Sequence, residues 1–515
     1  MTPKQKTILE IVGVITLFAV VSIILQFSSP NIADPDGFYH IRHAYIYRTQ
    51  DLFDSSFPWT QFSVIKKYGA DIWYGFHIFL IPFTYFKDLV FGIKVAGVFV
   101  TLSTFLTFWW ALKRLEVIWP WLWPILLVTA SPDLMYRLTM TRPHSLTLGL
   151  SLLIFSFLIK GKPWPILLAS ALTSFIHLAL SWIPILIILI ITLARKIHKL
   201  PVEWAKVQAM SLGLLLGLLA RPNPLEALKL AYTQVVQILF VKINEIPLYF
   251  GRELKGLEVY GFIQNILPAL IILALTFFLY ARYVKKQTTD NFKNKKVALT
   301  DEIILITIFL IVTLTIARRG YDILVGHILL ASSLMITAYL NSKPHHKKIL
   351  LAIGIILIGS MSVNSIPTFK IYMANAWKPS DLKEVSLWLK ENTKPGEIVF
   401  NTRWDNFHGL FFWNPNNYYI GGMDPIFQYA YNKNLYWKGH FLATDKADKL
   451  TCGKIRCTQE EAEDTHTVLV KDFGASYLML KQSQNPKLYF YLVRDGKFPL
   501  VFDNSREAVF KVPPL

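Results

Sequence analysis

A polytopic α-helical membrane protein of about eleven spans, followed by a soluble α/β domain of about 150 residues, is the fold class this sequence predicts. Three observations predict it. Over 515 residues 53% are hydrophobic and 17% charged, a balance that water-soluble cores alone do not absorb. The apolar residues fall in long uninterrupted runs, and the basic residues gather in the short stretches between them. After Ser365 the runs shorten, and charges and turn residues appear.

The runs long enough to approach a ~30 Å hydrocarbon layer as helices lie at 8–28, 89–112, 117–131, 144–159, 164–182, 183–196, 207–221, 263–281, 302–317, 323–341 and 348–365. The stretch 164–196 is almost continuously apolar, and a break near Pro184 divides it in two. The run 72–86 is short and aromatic, which predicts a helix lying at the membrane interface rather than a crossing. The first run lacks a small-residue cleavage site before Asp34, so it is predicted to stay as an anchor.

The charges set the orientation. Lys4 and Lys6; Lys113 and Arg114; Lys160 and Lys162; Arg195, Lys196 and Lys199; Lys285, Lys286, Lys293, Lys295 and Lys296; and Lys343, Lys347 and Lys348 all fall on one side if the N-terminus is cytoplasmic, as the positive-inside rule requires. An odd number of crossings then places the C-terminal domain outside the cytoplasm, and the expected location is the plasma membrane. The net charge of +19 is thereby explained without nucleic acid. The expected domains are a transmembrane one over 1–365, with a large external loop at 29–88, and an extracytoplasmic α/β one over 366–515. In the latter EIVF, TVLVKDF and LYFYLV read as β-rich stretches. Its Cys452 and Cys457, the only cysteines, lie where a disulfide persists; free thiols or half of a metal site are the alternatives.

The chemistry is concentrated in the external segments. Asp34, Pro35 and Asp36 place two carboxylates one residue apart just past the first span, a pattern that serves a divalent cation or a polar substrate. It serves equally well as a turn with a helix cap. Farther on, Pro132 and Arg137 precede Arg142, Pro143 and His144; Lys242–Glu245 follows a later span; and Arg318 and Arg319 end another, with Tyr321 and Asp322 behind them. Arginines in that position clamp phosphate bidentately or snorkel to headgroups. No GxGxxG and no P-loop is present, so no nucleotide cofactor is expected.

Taken together these segments resemble the catalytic subunit of oligosaccharyltransferase, a membrane glycosyltransferase of the GT-C class. That family has an acid, one spacer and an Asp, followed six residues after the Asp by Arg; Asp34, Asp36 and Arg42 stand at those spacings. Its next loop has a proline and, five residues on, an arginine, matched by Pro132 and Arg137, but its second acidic cluster is replaced here by Arg142–His144. Ile243–Glu245 is a weak version of its Ile-x-Glu motif, and Trp404 and Asp405 match part of its Trp-Trp-Asp-Tyr-Gly motif without the glycine.

The resemblance implies a GT-C fold and a catalytic role for Asp36, with Asp34 and Glu245 in support. It implies substrate contacts from Arg42, Arg137, Arg318, Arg319, Trp404 and Asp405, and a Mn²⁺ or Mg²⁺ site made of Asp36, Glu245 and, in place of the missing acid, His144. The partners it implies are a polyprenyl-(pyro)phosphate-linked sugar donor, membrane lipid and an extracytoplasmic acceptor. Two readings from other classes are a transporter or flippase and a non-catalytic envelope assembly protein. Carriers usually hold ionisable groups within their spans; here the acids fall in external loops, and His177 is the main polar residue within a run.

Overall fold

The computed structural model describes residues 2–283, 290–444 and 451–515. Lys285 and Lys286, expected in the cytoplasmic basic loops, lie outside them. The chain forms two compact units. The first comprises Met1–Asp34, Trp73–Arg221 and Gly251–Ala376, and the second Pro35–Ile72, Pro222–Phe250 and Trp377–Leu515.

The first unit is helical, and a helix stands at each of the eleven predicted runs. Six helices among the described residues are long and apolar enough to cross a membrane, or up to eight if two bent pairs each count as one span. The run 117–131 yields only Leu122–Thr129, whose eight residues rise about 12 Å, too little to cross. Within 164–196 the break falls at His177, between Pro163–Ile176 and a short turn leading to Trp182–Ile197, rather than at Pro184. Apolar faces point outward along the long helices, as with Val363 at 78% exposed, which suits a lipid surround. The predicted interfacial run becomes the short helix Tyr74–Leu80 with a 3-10 turn behind it, and its Phe76 is fully buried.

Close helix approach in this unit depends on small residues. Gly213 and Gly217, one turn apart on Trp204–Leu219, face the backbone of Pro163–Ile176, and a Cβ at either would run into the carbonyl oxygens of Leu167 and Ala171. This is small-residue packing, which lets backbones meet where the hydrophobic effect does not drive helices together.

Two features of the unit depart from the sequence reading. Asp301 and Glu302 lie inside the helix Asp290–Thr315 and are fully buried, so ionisable groups are not confined to the external segments. The last helix of the unit, Lys347–Ala374, runs nine residues past 365.

The second unit is built on a five-stranded sheet of β1 (Ile398–Asn401), β2 (Tyr418–Tyr419), β3 (Ala475–Lys481), β4 (Leu500–Asp503) and β5 (Glu507–Lys511) in the order β2-β1-β3-β5-β4. The first three strands are parallel and the last two pair antiparallel, with Phe400 opposite Leu478 and Leu478 opposite Phe510. Of the three stretches read as β-rich, only EIVF forms a strand. LYFYLV falls in the helix Pro486–Asp495, where Pro486 starts the first turn and Leu488 and Leu492, four apart, are buried. TVLVKDF is helical from Thr465 to Asp472, with the Asp464 side chain accepting from the Thr467 amide. Cys452 and Cys457 form a disulfide.

Candidate active site

In the second unit, Asp36 opens the helix Asp36–Thr49, where a carboxylate is favoured by the helix dipole. Its side chain is 17% exposed, and its Oδ1 lies 2.9 Å from Nε2 of His408, which is fully buried. Nδ1 of the same ring lies 3.2 Å from the main-chain oxygen of Asp405. His408 was passed over in the sequence, three residues beyond Asp405: a histidine in the Phe-rich helix Phe407–Trp413 reads as core.

Arg42 lies on the same helix as Asp36. Its Nε donates to the main-chain oxygen of Phe412 at 2.8 Å, and Nη2 donates to the same atom. The guanidinium lies over the Phe412 and Tyr45 rings. The arginine therefore docks the Asp36 helix on the end of Phe407–Trp413. Beneath Asp36, Tyr39 meets Nδ1 of His43 at 3.1 Å, and Tyr47 donates to Asp71 at 3.1 Å. Burial, and then the charges of Asp71 and Asp36, hold the Tyr39 phenol well above its usual range.

Trp404 donates its indole N–H to the main-chain oxygen of Tyr249 at 2.9 Å, and Asp405 pairs with Arg403 at 3.2 Å. Both sit beside a cleft lined by Tyr249, Arg403, Trp404, Gly421, Tyr436 and His440. It opens at the carboxyl ends of the parallel strands β1 and β2, the usual ligand position in such sheets. Glu245 is exposed on a turn with φ of 52°.

In the first unit, polar groups gather where helices break. Pro132–Leu138 and Pro143–Ile159 meet at 105°, with Ser131 capping the first of them. Arg142, in the break, pairs with Asp34, and Tyr136 donates to the main-chain oxygen of Ala33. Arg137 forms a bidentate pair with Asp322, at 2.8 Å from Nε and 2.6 Å from Nη2. Arg318 pairs with Asp133, an acid the sequence reading overlooked. His144 lies 3.4 Å from the Ser145 hydroxyl and 3.9 Å from Asp322. Arg319, Arg142 and Arg221 all act electrostatically on His177, and Arg221 donates to the main-chain oxygens of Ser174 and Phe175. Even counting Glu253, whose charge Arg137 feels, the arginines of this cluster outnumber its carboxylates.

Of the metal set that the resemblance implies, Asp36 has its Oδ1 2.9 Å from an imidazole nitrogen in the second unit, and His144 lies near Ser145 and Asp322 in the first.

The apolar helical unit with charged residues at its helix breaks, and the α/β unit that carries Asp36, have the fold of GT-C membrane glycosyltransferases of known structure. Neither a family model nor a curated protein sequence matches it. Solved structures do. ArnT from Cupriavidus metallidurans in the apo state aligns over 98% of each chain at 12% identity, with a TM-score of 0.55. The same protein bound to undecaprenyl phosphate gives 98%, 10% and 0.55. The oligosaccharyltransferase of Archaeoglobus fulgidus in the apo form aligns over 94% of this chain and 71% of its own, at 11% identity and a TM-score of 0.52. At these identities the likeness is one of fold.

Proposed function

We propose that the protein is a membrane glycosyltransferase that moves a sugar or oligosaccharide from a polyprenyl-linked phosphate or pyrophosphate to a protein or glycan acceptor outside the cytoplasm. The observation that supports this reading best is the arginine-rich cluster at the helix breaks of the first unit. A surplus of guanidinium beside apolar helices suits a ligand whose phosphate is charged and whose tail lies in lipid. ArnT, which shares the fold, has been solved with undecaprenyl phosphate, and this supports a polyprenyl carrier.

In the proposed reaction the acceptor's nucleophilic atom attacks the anomeric carbon, and the bond from that carbon to the phosphate oxygen breaks. Asp36 accepts the acceptor's proton, and Arg319 with its neighbours offsets the charge left on the phosphate. The cleft beside Trp404 is assigned to the acceptor, whose saccharide or peptide groups its aromatic rings suit. The orientation proposed is the one set by the basic loops, with the N-terminus cytoplasmic and the second unit outside.

The test is transfer of radiolabelled sugar from a mixed polyprenyl-linked donor pool by the purified protein, with and without Mn²⁺ or Mg²⁺, comparing wild type with Asp36→Asn. A loss on the order of 10²–10⁴-fold in the variant is expected for removal of a general base. Absence of transfer by folded wild-type protein would overturn the reading, and is what a carrier or a non-catalytic assembly protein predicts; full activity of the variant would overturn the role given to Asp36. A strict requirement for either cation would support a metal set of Asp36, Glu245 and His144.

A further inference from the structure

The cleft assigned to the acceptor lies wholly within the second unit, and its lining selects among acceptor classes. Among the described residues that line it, Arg403 alone carries a permanent charge, and Asp405 pairs with that charge at 3.2 Å. The rings of Phe62, Tyr249, Trp404, Tyr436 and Phe473 stand around it, together with uncharged polar side chains such as Gln428. We propose that the cleft binds an uncharged saccharide, so that the acceptor is a neutral sugar of a glycan. The inference rests on the transferase reading and narrows its acceptor.

A charged ligand is disfavoured, because the only permanent charge that could answer it is already paired. A peptide is disfavoured for a different reason. Peptides are commonly held through their main chain, by adding a strand to an open sheet edge or by filling backbone donors and acceptors. The outer edge of β2 is taken by the chain itself: Tyr419 donates to the main-chain oxygen of Trp59 and accepts from the Gln61 amide, both at 2.8 Å, and the Phe62 amide donates to Ile420 at 3.0 Å. Main-chain groups at the cleft are engaged in the same way. The oxygen of Gly421 accepts from Nδ2 of Asn401 at 2.9 Å, and the Ile420 amide donates to Oδ1 of that side chain at 3.1 Å. Tyr249 donates its amide to the Tyr436 hydroxyl at 3.2 Å and accepts from the Trp404 indole at 2.9 Å.

Side chains are left to hold the ligand. The Tyr436 hydroxyl accepts from Tyr249 and has its own proton to donate. The Gln428 amide packs against Gly421, where a Cβ would run into it, and presents a donor and an acceptor in one plane. Such groups match neighbouring sugar hydroxyls, and aromatic faces match the apolar C–H face of a pyranose. The enclosed space is about 40 Å³, roughly three water positions, so the hydroxyl-bearing edge of one sugar ring enters and the rest of the glycan stays outside.

The experiment measures binding to the full chain in nanodiscs, without donor. The probes are fluorescently labelled neutral oligosaccharides of glucose, mannose and galactose, uronic-acid oligosaccharides, and peptides containing Asn, Ser and Thr. Saturable binding of a neutral oligosaccharide is expected, weakened about tenfold in Gln428→Leu and about tenfold in Trp404→Phe, at an unchanged thermal midpoint. Binding of acidic saccharides or peptides in place of neutral sugars, no binding of any probe, affinity unchanged in both variants, or losses that track a lowered thermal midpoint would overturn the proposal. Neutral-sugar binding without transfer by wild type would leave the saccharide site standing and overturn the transferase reading. Transfer to a peptide without neutral-sugar binding would overturn this inference alone.

Discussion

Arg137 occupies the position that the resemblance assigns to the substrate, yet its guanidinium is saturated by Asp322, with side chains 10% and 7% exposed. Burying two charges is costly, and the pair persists because each satisfies the other; removing one partner strands the other at about 3–5 kcal/mol. The two single replacements are not equivalent. Asp322→Ala leaves Arg137 without its bidentate acceptor, with Glu253 as the remaining acid whose charge it feels. Arg137→Met leaves Asp322 in the field of Arg319, and His144 lies 3.9 Å away. The aspartate variant is therefore expected to lose the full amount and the arginine variant less. The double variant Arg137→Met with Asp322→Leu, having no charge to strand, is expected to recover most of the loss.

Unfolding in nanodiscs, followed by denaturant or heat, gives the ranking, and the donor KM is measured on the same preparations. If Arg137→Met keeps its stability but raises the donor KM tenfold or more, Arg137 is a phosphate ligand after all. If the two single losses simply add in the double variant, the pair is not coupled and the reasoning fails.

Three further outcomes follow from individual contacts. Because the Tyr39 phenol is held above its usual range by burial, the native state keeps a proton that the unfolded chain releases above about pH 10. Stability is thus expected to fall as pH rises past that point, and a pH series of unfolding midpoints should show a shallower fall in Tyr39→Phe, which at neutral pH costs about 1 kcal/mol for the lost contact with His43. Gly217→Val pushes a side chain into the carbonyl of Ala171 and is expected to destabilise the helical unit by about 1–3 kcal/mol, read as a lowered thermal midpoint. The disulfide Cys452–Cys457 closes a short loop, with a sequence separation of 5, so Cys452→Ser with Cys457→Ser is expected to cost about 2 kcal/mol in denaturant unfolding and to leave transfer unchanged.

The helical unit was legible because a span must be apolar for most of its length, and each predicted run is a helix. Its irregularities were not: Leu122–Thr129 is too short and the break falls at His177, because tertiary packing rather than hydropathy sets where a helix ends. The second unit was legible only in part. Val, Tyr and Phe favour strands on average, but in LYFYLV the apolar side chains fall at helical spacing behind Pro486. The central strand ASYLMLK was not singled out, although it pairs on both edges. That residues 35–72 and 222–250 belong with the C-terminal unit is invisible to a reading that follows the chain. Asp36 was found by spacing. His408 was not, since its meaning comes from a contact between segments far apart in sequence. The partners of Arg42, Arg137 and Arg318 were not legible for the same reason: sequence shows a charge, and only the fold shows what holds it.

The carrier reading has one observation in its favour, the fully buried Glu302 and Asp301 within a span, with Glu302 3.0 Å from Nδ1 of His327. An ionisable residue at such a depth is by default functional, and in a carrier its titration would be part of the transport cycle. The geometry here also describes a fixed tie between two helices: Glu302 lies on Asp290–Thr315, His327 on Tyr321–Ser342, and the ring of Phe155 closes edge-on over the histidine at 6.4 Å. Glu302→Gln separates the two, since glutamine keeps a hydrogen bond to the imidazole but does not titrate. A structural tie predicts that this variant retains stability and sugar transfer, whereas Glu302→Ala, which leaves His327 without that partner, costs about 1–3 kcal/mol. A carrier predicts that Glu302→Gln is stable and inactive in moving a lipid-linked substrate across vesicles. Loss of sugar transfer in Glu302→Gln, at unchanged stability, would show that the membrane interior takes part in the reaction cycle and that Asp34 and Asp36 are only part of the machinery.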